Sequence, residues 1–483
     1  MPSLQLIVLI VYFIGLFGVG LYATRFIGSN TDFLLAGRRL GPVLATATLC
    51  ATHFGGGFVL GSGEWGFTHG MTGIAYAVGV GLSLVLLGFV AARKMRRLAM
   101  FTVPDYLEIR YNSRIARLLG TLLSLVAIIG IIGAQVWAAQ GALTILGIDP
   151  TWAAIAATLM FIVYTAMSGL WGVTLTDAVQ LAIIFIGVPI AAVLAVGEAG
   201  GFEGIRTAID AQSLEIGTDR YFSPFGAGLG LVLAAIVPTM MYTLIGQDFY
   251  QRLFAARDEQ TAFRAAIFAG LLLIAFAVFP VVTGMAARAL FGAEIEAARA
   301  IPMLIDEVLP AWAAAIVIAA ILGAIMSTAD SLLMAGTSHV THDIYVKLIH
   351  PQAEEDSKRL LLISRIVTVV LGLLALWMAL NFKAIIGMLL MSYTLYAAGV
   401  FIPVVGGLYW KRATASGAIA AILGGSGFGL AGELGWFTPA ALPLLGGLPV
   451  IVSGALVSLL LFVGVSLATQ PPGGGFSESA MRR

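Results

Sequence analysis

Two short segments of the sequence bring groups that can bind a cation into stretches that are otherwise apolar. The first contains three consecutive glycines, Gly55 to Gly57, where a membrane helix would be expected to run on unbroken. The second contains two adjacent hydroxyls, Ser327 and Thr328, followed by the carboxylate of Asp330. Backbone groups released from a helix inside a bilayer need a partner, because lipid offers none. A cation held by free carbonyls and hydroxyls is such a partner, which suggests cation-coupled transport.

The spacing of these segments places several oxygen atoms where they could converge. Ala324 lies one turn before Ser327 and Thr328, so these three positions share a helix face. Ala51 and Phe54 can add backbone carbonyls where the glycine run ends a half-helix. Hard cations prefer oxygen ligands of this kind. The alternative is that the hydroxyls only bond back to their own helix or allow close helix packing.

The composition indicates a membrane protein. Of the 483 residues, 60% are hydrophobic and 11% are charged, whereas soluble domains have about 25% charged residues. The net charge of +1 does not indicate a nucleic-acid partner, and the single cysteine excludes an internal disulfide.

Thirteen stretches reach or approach the ~20 apolar residues that a membrane crossing needs. They are 4–24, 41–68, 71–95, 114–146, 151–170, 174–198, 226–249, 260–289, 308–346, 359–380, 384–409, 414–432 and 443–468.

The distribution of Lys and Arg predicts the orientation of these spans. With the N-terminus outside, 21 of the 26 basic residues fall on the inner side, as the positive-inside rule requires. The odd number of spans then places the C-terminus inside. The five basic residues on the outer side are Arg206, Arg220, Arg288, Arg299 and Lys383.

Two of the predicted spans, 41–68 and 226–249, are interrupted near their middle. His53 to Gly57 interrupts the first, and Pro238 with Thr243 to Gln247 interrupts the second. The two lie five spans apart, and five spans followed by five of opposite orientation is a common plan of secondary transporters. We therefore expect one transmembrane domain at 1–468, with inverted repeats at about 41–198 and 226–409. A disordered cytoplasmic tail is expected at 469–483.

Four further polar residues in the spans have two interpretations each. Asp177 is either a helix N-cap or a waypoint on the exit path of the cation. Asp330 points away from Thr328 and is expected to tie helices together or line the inner vestibule. His53 is a neutral imidazole bonded to a carbonyl, or else a solute contact or a proton-titrating group. Glu64 is an outer-gate group or a solvated carboxylate.

Four stretches of the sequence resemble the sodium:solute symporter family. They are 32–41, 176–180, 324–331 with its continuation to 343–345, and 407–412 followed by a run of small residues to Gly427. Gln251 and Arg252 fit the same pattern, and the resemblance extends over essentially the whole chain. It implies an all-α, LeuT-type inverted-repeat core within the thirteen spans and sodium as the coupling ion.

The resemblance also implies site residues. The sodium site would comprise the carbonyls of Ala51, Phe54 and Ala324 and the hydroxyls of Ser327 and Thr328. The aspartate on the ion exit path would be Asp177. Solute would bind between the two breaks, near His53, Gly55, Gly56, Gly57, Trp137, Tyr242, Gly246 and Gln247.

Within the family, the two segments are most similar to the choline-transporter branch, but its aromatic cage is missing. That branch has a tryptophan where His53 stands and another near Gly246, and a quaternary ammonium needs such aromatic faces. Proline transporters carry an aspartate at the position of His53. The resemblance therefore implies a small organic solute without fixing its class.

Together these observations predict a sodium-coupled symporter of a bacterial inner membrane that imports a small organic solute by alternating access. A proton-coupled carrier that uses His53 or Glu64 is the alternative. A symporter-like membrane sensor is less expected, because no kinase or receiver domain follows Leu467. An enzyme is not expected, because no nucleophile–base pair or metal-ligand cluster has a recognisable spacing. We expect no nucleic-acid partner and no obligate protein partner.

Overall fold

The computed structural model of the chain describes residues 2–212, 217–354, 357–381, 385–436 and 448–469. Within these ranges the regular structure is helical, and the extended backbone pairs only in an isolated bridge between Leu40 and Ala256. The predicted tail lies outside the described residues from position 470 onward. The starts of the predicted spans 384–409 and 443–468 lie outside them as well.

The first nine α-helices include one that is too long for a single crossing. They are α1 (Pro2–Ala23), α2 (Asn30–Leu35), α3 (Pro42–His53), α4 (Ser62–His69), α5 (Ile74–Leu87), α6 (Arg93–Arg97), α7 (Val103–Tyr111), α8 (Arg114–Thr144) and α9 (Pro150–Glu198). A straight helix of 49 residues would be about 74 Å long, more than twice the ~30 Å hydrocarbon core. Gly169 in α9 has φ 52°, which bends the helix close to the predicted gap between spans 151–170 and 174–198.

Twelve more α-helices complete the described chain. They are α10 (Gly201–Ala211), α11 (Thr218–Tyr221), α12 (Leu229–Thr243), α13 (Gln247–Ala255), α14 (Glu259–Phe276), α15 (Val278–Phe291), α16 (Ala297–Glu307), α17 (Ala311–Ser338), α18 (Lys358–Asn381), α19 (Ile385–Tyr409), α20 (Ala415–Glu433) and α21 (Val450–Ala468). Turns of π-helix occupy Gly57–Gly61, Gly88–Ala92 and His339–Ile349.

Nine helical stretches of the described residues are long and apolar enough to cross a membrane, or ten if α12 and α13 form one bent span. The sequence predicts thirteen spans. The structure gives fewer stretches partly because one continuous helix can bend and so contain two predicted crossings. Pro150–Glu198 is an example, since the sequence divides it into two crossings. The expectation of an all-helical membrane protein is confirmed, while the number of crossings stays a prediction.

Both predicted interruptions are present. The first half-helix, α3, ends at His53, and helical structure resumes at Gly57. In the second, α12 and α13 are separated by three residues and bent by 48°. Pro238 does not interrupt the helix as predicted, because α12 runs on through it to Thr243. The amide of Leu40 donates to the carbonyl of Ala255 at 3.0 Å, and that of Arg257 donates to the carbonyl of Leu40 at 3.0 Å. The start of α3 therefore meets the end of α13, so the two broken helices run in opposite directions.

The centre of the molecule is α17, whose residues are almost all buried. It packs against α9, α8, α1 and α3. Glycines bring a second pair, α4 and α15, into backbone contact. A Cβ atom on Gly284 would lie 1.8 Å from the carbonyl oxygen of Gly63, and one on Gly66 would lie 2.2 Å from that of Val281. Small residues thus fix the second half of the first broken helix against its neighbour.

Candidate sodium site and solute cavity

The end of α3 leaves backbone groups free beside α17. The amide of Phe54 bonds to the carbonyls of Cys50 and Ala51, at 3.0 and 3.2 Å, which closes the last turn of α3. A Cβ atom on Gly55 would lie 2.5 Å from the hydroxyl oxygen of Thr328. Only glycine allows this approach, so the glycine run brings the broken backbone directly against the hydroxyl pair of α17.

Four of the five predicted sodium ligands converge at this contact. The hydroxyl of Ser327 has two acceptors for its single hydrogen, the carbonyl of Ala51 at 2.9 Å and that of Ala324 at 3.0 Å. The hydroxyl of Thr328 likewise has the carbonyl of Thr52 at 3.0 Å and that of Ala324 at 3.2 Å. The fifth predicted ligand, Phe54, is buried one residue before the glycine contact.

This donor set fits a hard cation. Back-bonding within a helix would account for the bonds of both hydroxyls to Ala324, but not for those to Ala51 and Thr52, which belong to another helix. The oxygens are contributed by carbonyls and neutral hydroxyls in buried residues, so they carry lone pairs and no net charge. A monovalent ion would replace the hydroxyl protons as the positive partner of the carbonyls. The sequence did not predict the Thr52 carbonyl among these oxygens, because its contact with Thr328 depends on the backbone geometry at the end of α3.

A buried polar network lies against this site and contains Asp177. The carboxylate of Asp177 accepts from the hydroxyl of Thr48 on α3. The guanidinium of Arg252 donates to the same hydroxyl at 3.1 Å, to the carbonyl of Asp248 at 2.7 Å, and to the hydroxyl of Ser331 on α17. Because Asp177 lies inside α9 and its partner is on another helix, the helix-capping interpretation is wrong.

Asp330 ties two of the central helices together, which is one of the two roles expected for it. Its carboxylate accepts from the hydroxyl of Tyr164 on α9. One oxygen of Asp330 and one of Asp177 are buried without a hydrogen-bond partner among the described residues. The sequence did not identify Thr48, Tyr164 or Ser331 as members of this network. A fully buried arginine in an apolar chain, Arg252, was the signal that could have found it.

A cavity of about 660 Å³ lies between the two broken helices. Six of the eight predicted solute contacts line it, namely His53, Gly55, Gly56, Gly57, Trp137 and Tyr242.

The other two predicted contacts, Gly246 and Gln247, do not line the cavity. The side-chain amide of Gln247 donates to the carbonyl of Phe101 at 2.9 Å and accepts from the amide of Val103 at 2.8 Å. Gln247 therefore fixes the chain entering α7, on the side of α13 away from the cavity.

His53 is held in one orientation by two hydroxyls that the sequence did not identify. Its Nε2 atom lies 2.8 Å from the hydroxyl of Thr243 and 3.2 Å from that of Ser83. Both hydroxyls donate their own hydrogens to carbonyls, those of Thr239 and Val80. With these hydroxyl hydrogens engaged, we assign the hydrogen of the neutral ring to Nε2, which leaves Nδ1 as the acceptor.

The exposed residues that line the cavity mark its open end, which we call the wide end. Glu64 and Trp137, both exposed, line it there together with Pro302 of α16. Thr328 lines the opposite end, where its hydroxyl also belongs to the candidate sodium site. The solute cavity and the candidate ion site thus share the side chain of Thr328.

Comparison with known proteins identifies the family. Residues 33–425 match the sodium:solute symporter family. The chain belongs to this family. The symporter is 29% identical over 482 residues to the sodium/pantothenate symporter of Escherichia coli strain K12, covering 96% of each chain. It is 26% identical over 451 residues to the high-affinity choline transporter 1 of Caenorhabditis elegans, covering 86% of this chain and 76% of the relative.

The fold of the symporter is shared with solved sodium-coupled transporters. A structure of the substrate-bound, outward-open state of a Na⁺-coupled sialic acid symporter superimposes with a TM-score of 0.84 at 20% identity. The match covers 97% of this chain and 98% of the other. The recognition of the family and of a sodium:solute symporter from sequence is therefore confirmed. The family and these relatives are transporters rather than enzymes.

Proposed function

We propose that this chain uses the sodium gradient of a bacterial inner membrane to import one small organic solute by alternating access. The observation that carries the proposal is the contact of Ser327 with the carbonyls of Ala51 and Ala324. It brings together oxygens from both unusual segments of the sequence, on a broken helix and on the most buried helix. Sodium bound by Ala51, Phe54, Ala324, Ser327 and Thr328 would hold α3 against α17.

Coupling follows from the shared side chain. Thr328 contributes its hydroxyl to the ion site and lines the solute cavity. An ion that orders Thr328 and the adjoining Gly55 raises the affinity for solute, and solute raises the affinity for sodium by the same factor. We further propose that the wide end of the cavity faces outward, and that the ion leaves past Asp177 once the inner side opens. This direction assumes the thirteen-span topology with the N-terminus outside.

The driving force is sufficient for uptake from dilute medium. One charge crossing ~100 mV contributes ~2.3 kcal/mol. A ~10-fold sodium gradient adds ~1.4 kcal/mol. The two together permit roughly 500-fold accumulation of a neutral solute per sodium ion.

The test is a thermal-shift screen followed by uptake. Purified protein is heated with a panel of amino acids, carboxylates, sugars and amines, in sodium and in matched potassium buffer. We expect at least one solute to raise the unfolding temperature in sodium only, and that solute to enter proteoliposomes when an inward sodium gradient is imposed. Uptake that is driven by acid outside and ignores sodium would instead support the proton-coupled carrier, with His53 or Glu64 as the titrating group.

We expect His53→Ala to change which solutes bind while leaving the response to sodium intact. The ring presents Nδ1 as an acceptor, held by Thr243 and Ser83, and its removal deletes one oriented contact of about 1 kcal/mol. Competition between solutes in the uptake assay should therefore change severalfold. His350→Ala, at an exposed histidine near the end of the last π-helical segment, is the matched control. Unchanged affinity and selectivity in His53→Ala would remove His53 from the solute site.

A further inference from the structure

The charged lining of the solute cavity is entirely acidic. Glu64, Asp248 and Glu433 line it, and no lysine or arginine is among the described residues that do. Glu64 and Glu433 are exposed near the wide end, whereas Asp248 is only 2% exposed at the closed end. A buried carboxylate is costly unless a positive group or hydrogen-bond donors compensate it. The closed end of the cavity therefore favours a cationic group over an anionic one.

The buried carboxylate of Asp248 is stabilised by the amides of its own helix turn, by the hydroxyl of Tyr242 and by the nearby guanidinium of Arg252. It lies in the first turn of α13, where acidic residues are common because the first amides of a helix are free. Its carboxylate accepts from the hydroxyl of Tyr242 at 3.2 Å. These contacts explain why an aspartate is tolerated at this position. They do not explain why its carboxylate lines a cavity large enough for a solute.

Aromatic rings stand beside this carboxylate. The ring of Tyr242 lies 4.5 Å from that of Tyr393 and 6.1 Å from that of Phe249, measured between centroids. All three residues line the cavity together with Asp248. Ring faces attract cations, most strongly where water is excluded. A cavity lined by a carboxylate and three aromatic rings is an arrangement that binds an ammonium group.

The balance of buried charge leads to the same conclusion. The guanidinium of Arg252 interacts electrostatically with three buried carboxylates, those of Asp177, Asp330 and Asp248. With all three carboxylates ionised, Arg252 leaves an excess of negative charge, and a cationic solute beside Asp248 would reduce that excess.

We propose that the transported solute carries a protonated amine with N–H groups, bound by the carboxylate of Asp248 and the rings of Tyr242, Phe249 and Tyr393. The proposal rests on the proposed function, because it assumes that this cavity holds the transported solute. N–H groups are specified because the carboxylate of Asp248 is a hydrogen-bond acceptor, which a quaternary ammonium cannot satisfy with hydrogen bonds.

Pairs of compounds that differ only at the nitrogen test this directly on the wild-type protein. The probes are proline and tetrahydrofuran-2-carboxylate, piperidine and tetrahydropyran, and 3-aminopropan-1-ol and propane-1,3-diol, alongside the amines of the general panel. Thermal shift is measured in sodium buffer at neutral pH. We expect the stabilising compounds to be amines, and each oxygen analogue to bind at least 10-fold more weakly than its partner. A panel in which no amine stabilises the protein, or in which an oxygen analogue equals its amine, overturns the proposal.

Asp248→Asn locates the amine. We expect the concentration of amine needed for half-maximal stabilisation to rise at least 10-fold, with stabilisation by sodium alone retained. The same substitution at Asp306, an exposed residue of α16, is the matched control. An affinity within twofold of wild type in Asp248→Asn overturns the assignment. The sodium titration tests the proposed function separately. If sodium alone does not stabilise the wild-type protein, the proposed function fails. If sodium stabilises it but amines are not preferred over their oxygen analogues, only this inference is overturned.

Discussion

The double variant Ser327→Ala, Thr328→Ala should lose sodium-stimulated uptake while remaining folded in the membrane. It removes two of the five oxygens proposed to bind the ion, including the hydroxyl that contacts both Ala51 and Ala324. A hydrogen bond to a charged group contributes about 1.5–3 kcal/mol, and we take each ligand to contribute on that scale. The sodium concentration for half-maximal uptake should therefore rise by about 100-fold or more. Proteoliposome uptake at stepped sodium concentrations measures it directly.

Two comparisons separate loss of the ion site from general damage to α17. Thr337→Ala with Ser338→Ala removes another adjacent pair of buried, hydrogen-bonded hydroxyls from the same helix. This control should lower stability by a similar amount without changing the sodium dependence. Thr328→Ser keeps the hydroxyl and should keep most of the sodium affinity. Undiminished sodium dependence in the double variant would contradict the site assignment.

The sequence was informative wherever one residue or a short run fixes the outcome. Three glycines in a membrane span predict a break, and α3 ends just before them. The second break falls within the predicted stretch from Thr243 to Gln247, whereas Pro238, also predicted to interrupt this span, lies inside α12. Adjacent hydroxyls one turn after Ala324, taken together with the glycine break, predict an ion site, and that site stays a prediction. These features needed no knowledge of which helices are neighbours.

What the sequence could not provide depends on contacts between distant segments. Thr243 and Ser83 orient His53 from helices that are far from it in the chain, and nothing in their local sequence marks them. Gln247 lies next to the second break, and its side-chain amide is held by the backbone of Phe101 and Val103, which are far from it in the chain. Residues near a break are therefore good candidates, while the direction in which each points is a tertiary property.

Arg252→Met should be the most destabilising single change in the polar core. The guanidinium bonds to Thr48, Asp248 and Ser331, and so joins α13 to both α3 and α17. Removing one partner from a buried charged cluster costs about 3–5 kcal/mol, because the remaining charges stay buried without compensation. We expect a large fall in the unfolding temperature in detergent, measured by intrinsic fluorescence and by the monodisperse fraction on size exclusion. Arg252→Lys should recover part of it, since an ammonium restores the charge but not the three-way geometry.

A second substitution distinguishes lost charge balance from lost packing. Adding Asp330→Asn to Arg252→Met removes one of the uncompensated carboxylates, and the new amide oxygen can still accept from Tyr164. If charge is the main cause, the double variant will be more stable than Arg252→Met alone. Arg264→Met, at an exposed arginine of α14, should leave the unfolding temperature nearly unchanged. A double variant less stable than Arg252→Met would show instead that the core depends on the shapes and bonds of these side chains, and the charge-balance argument for a cationic solute would lose its support.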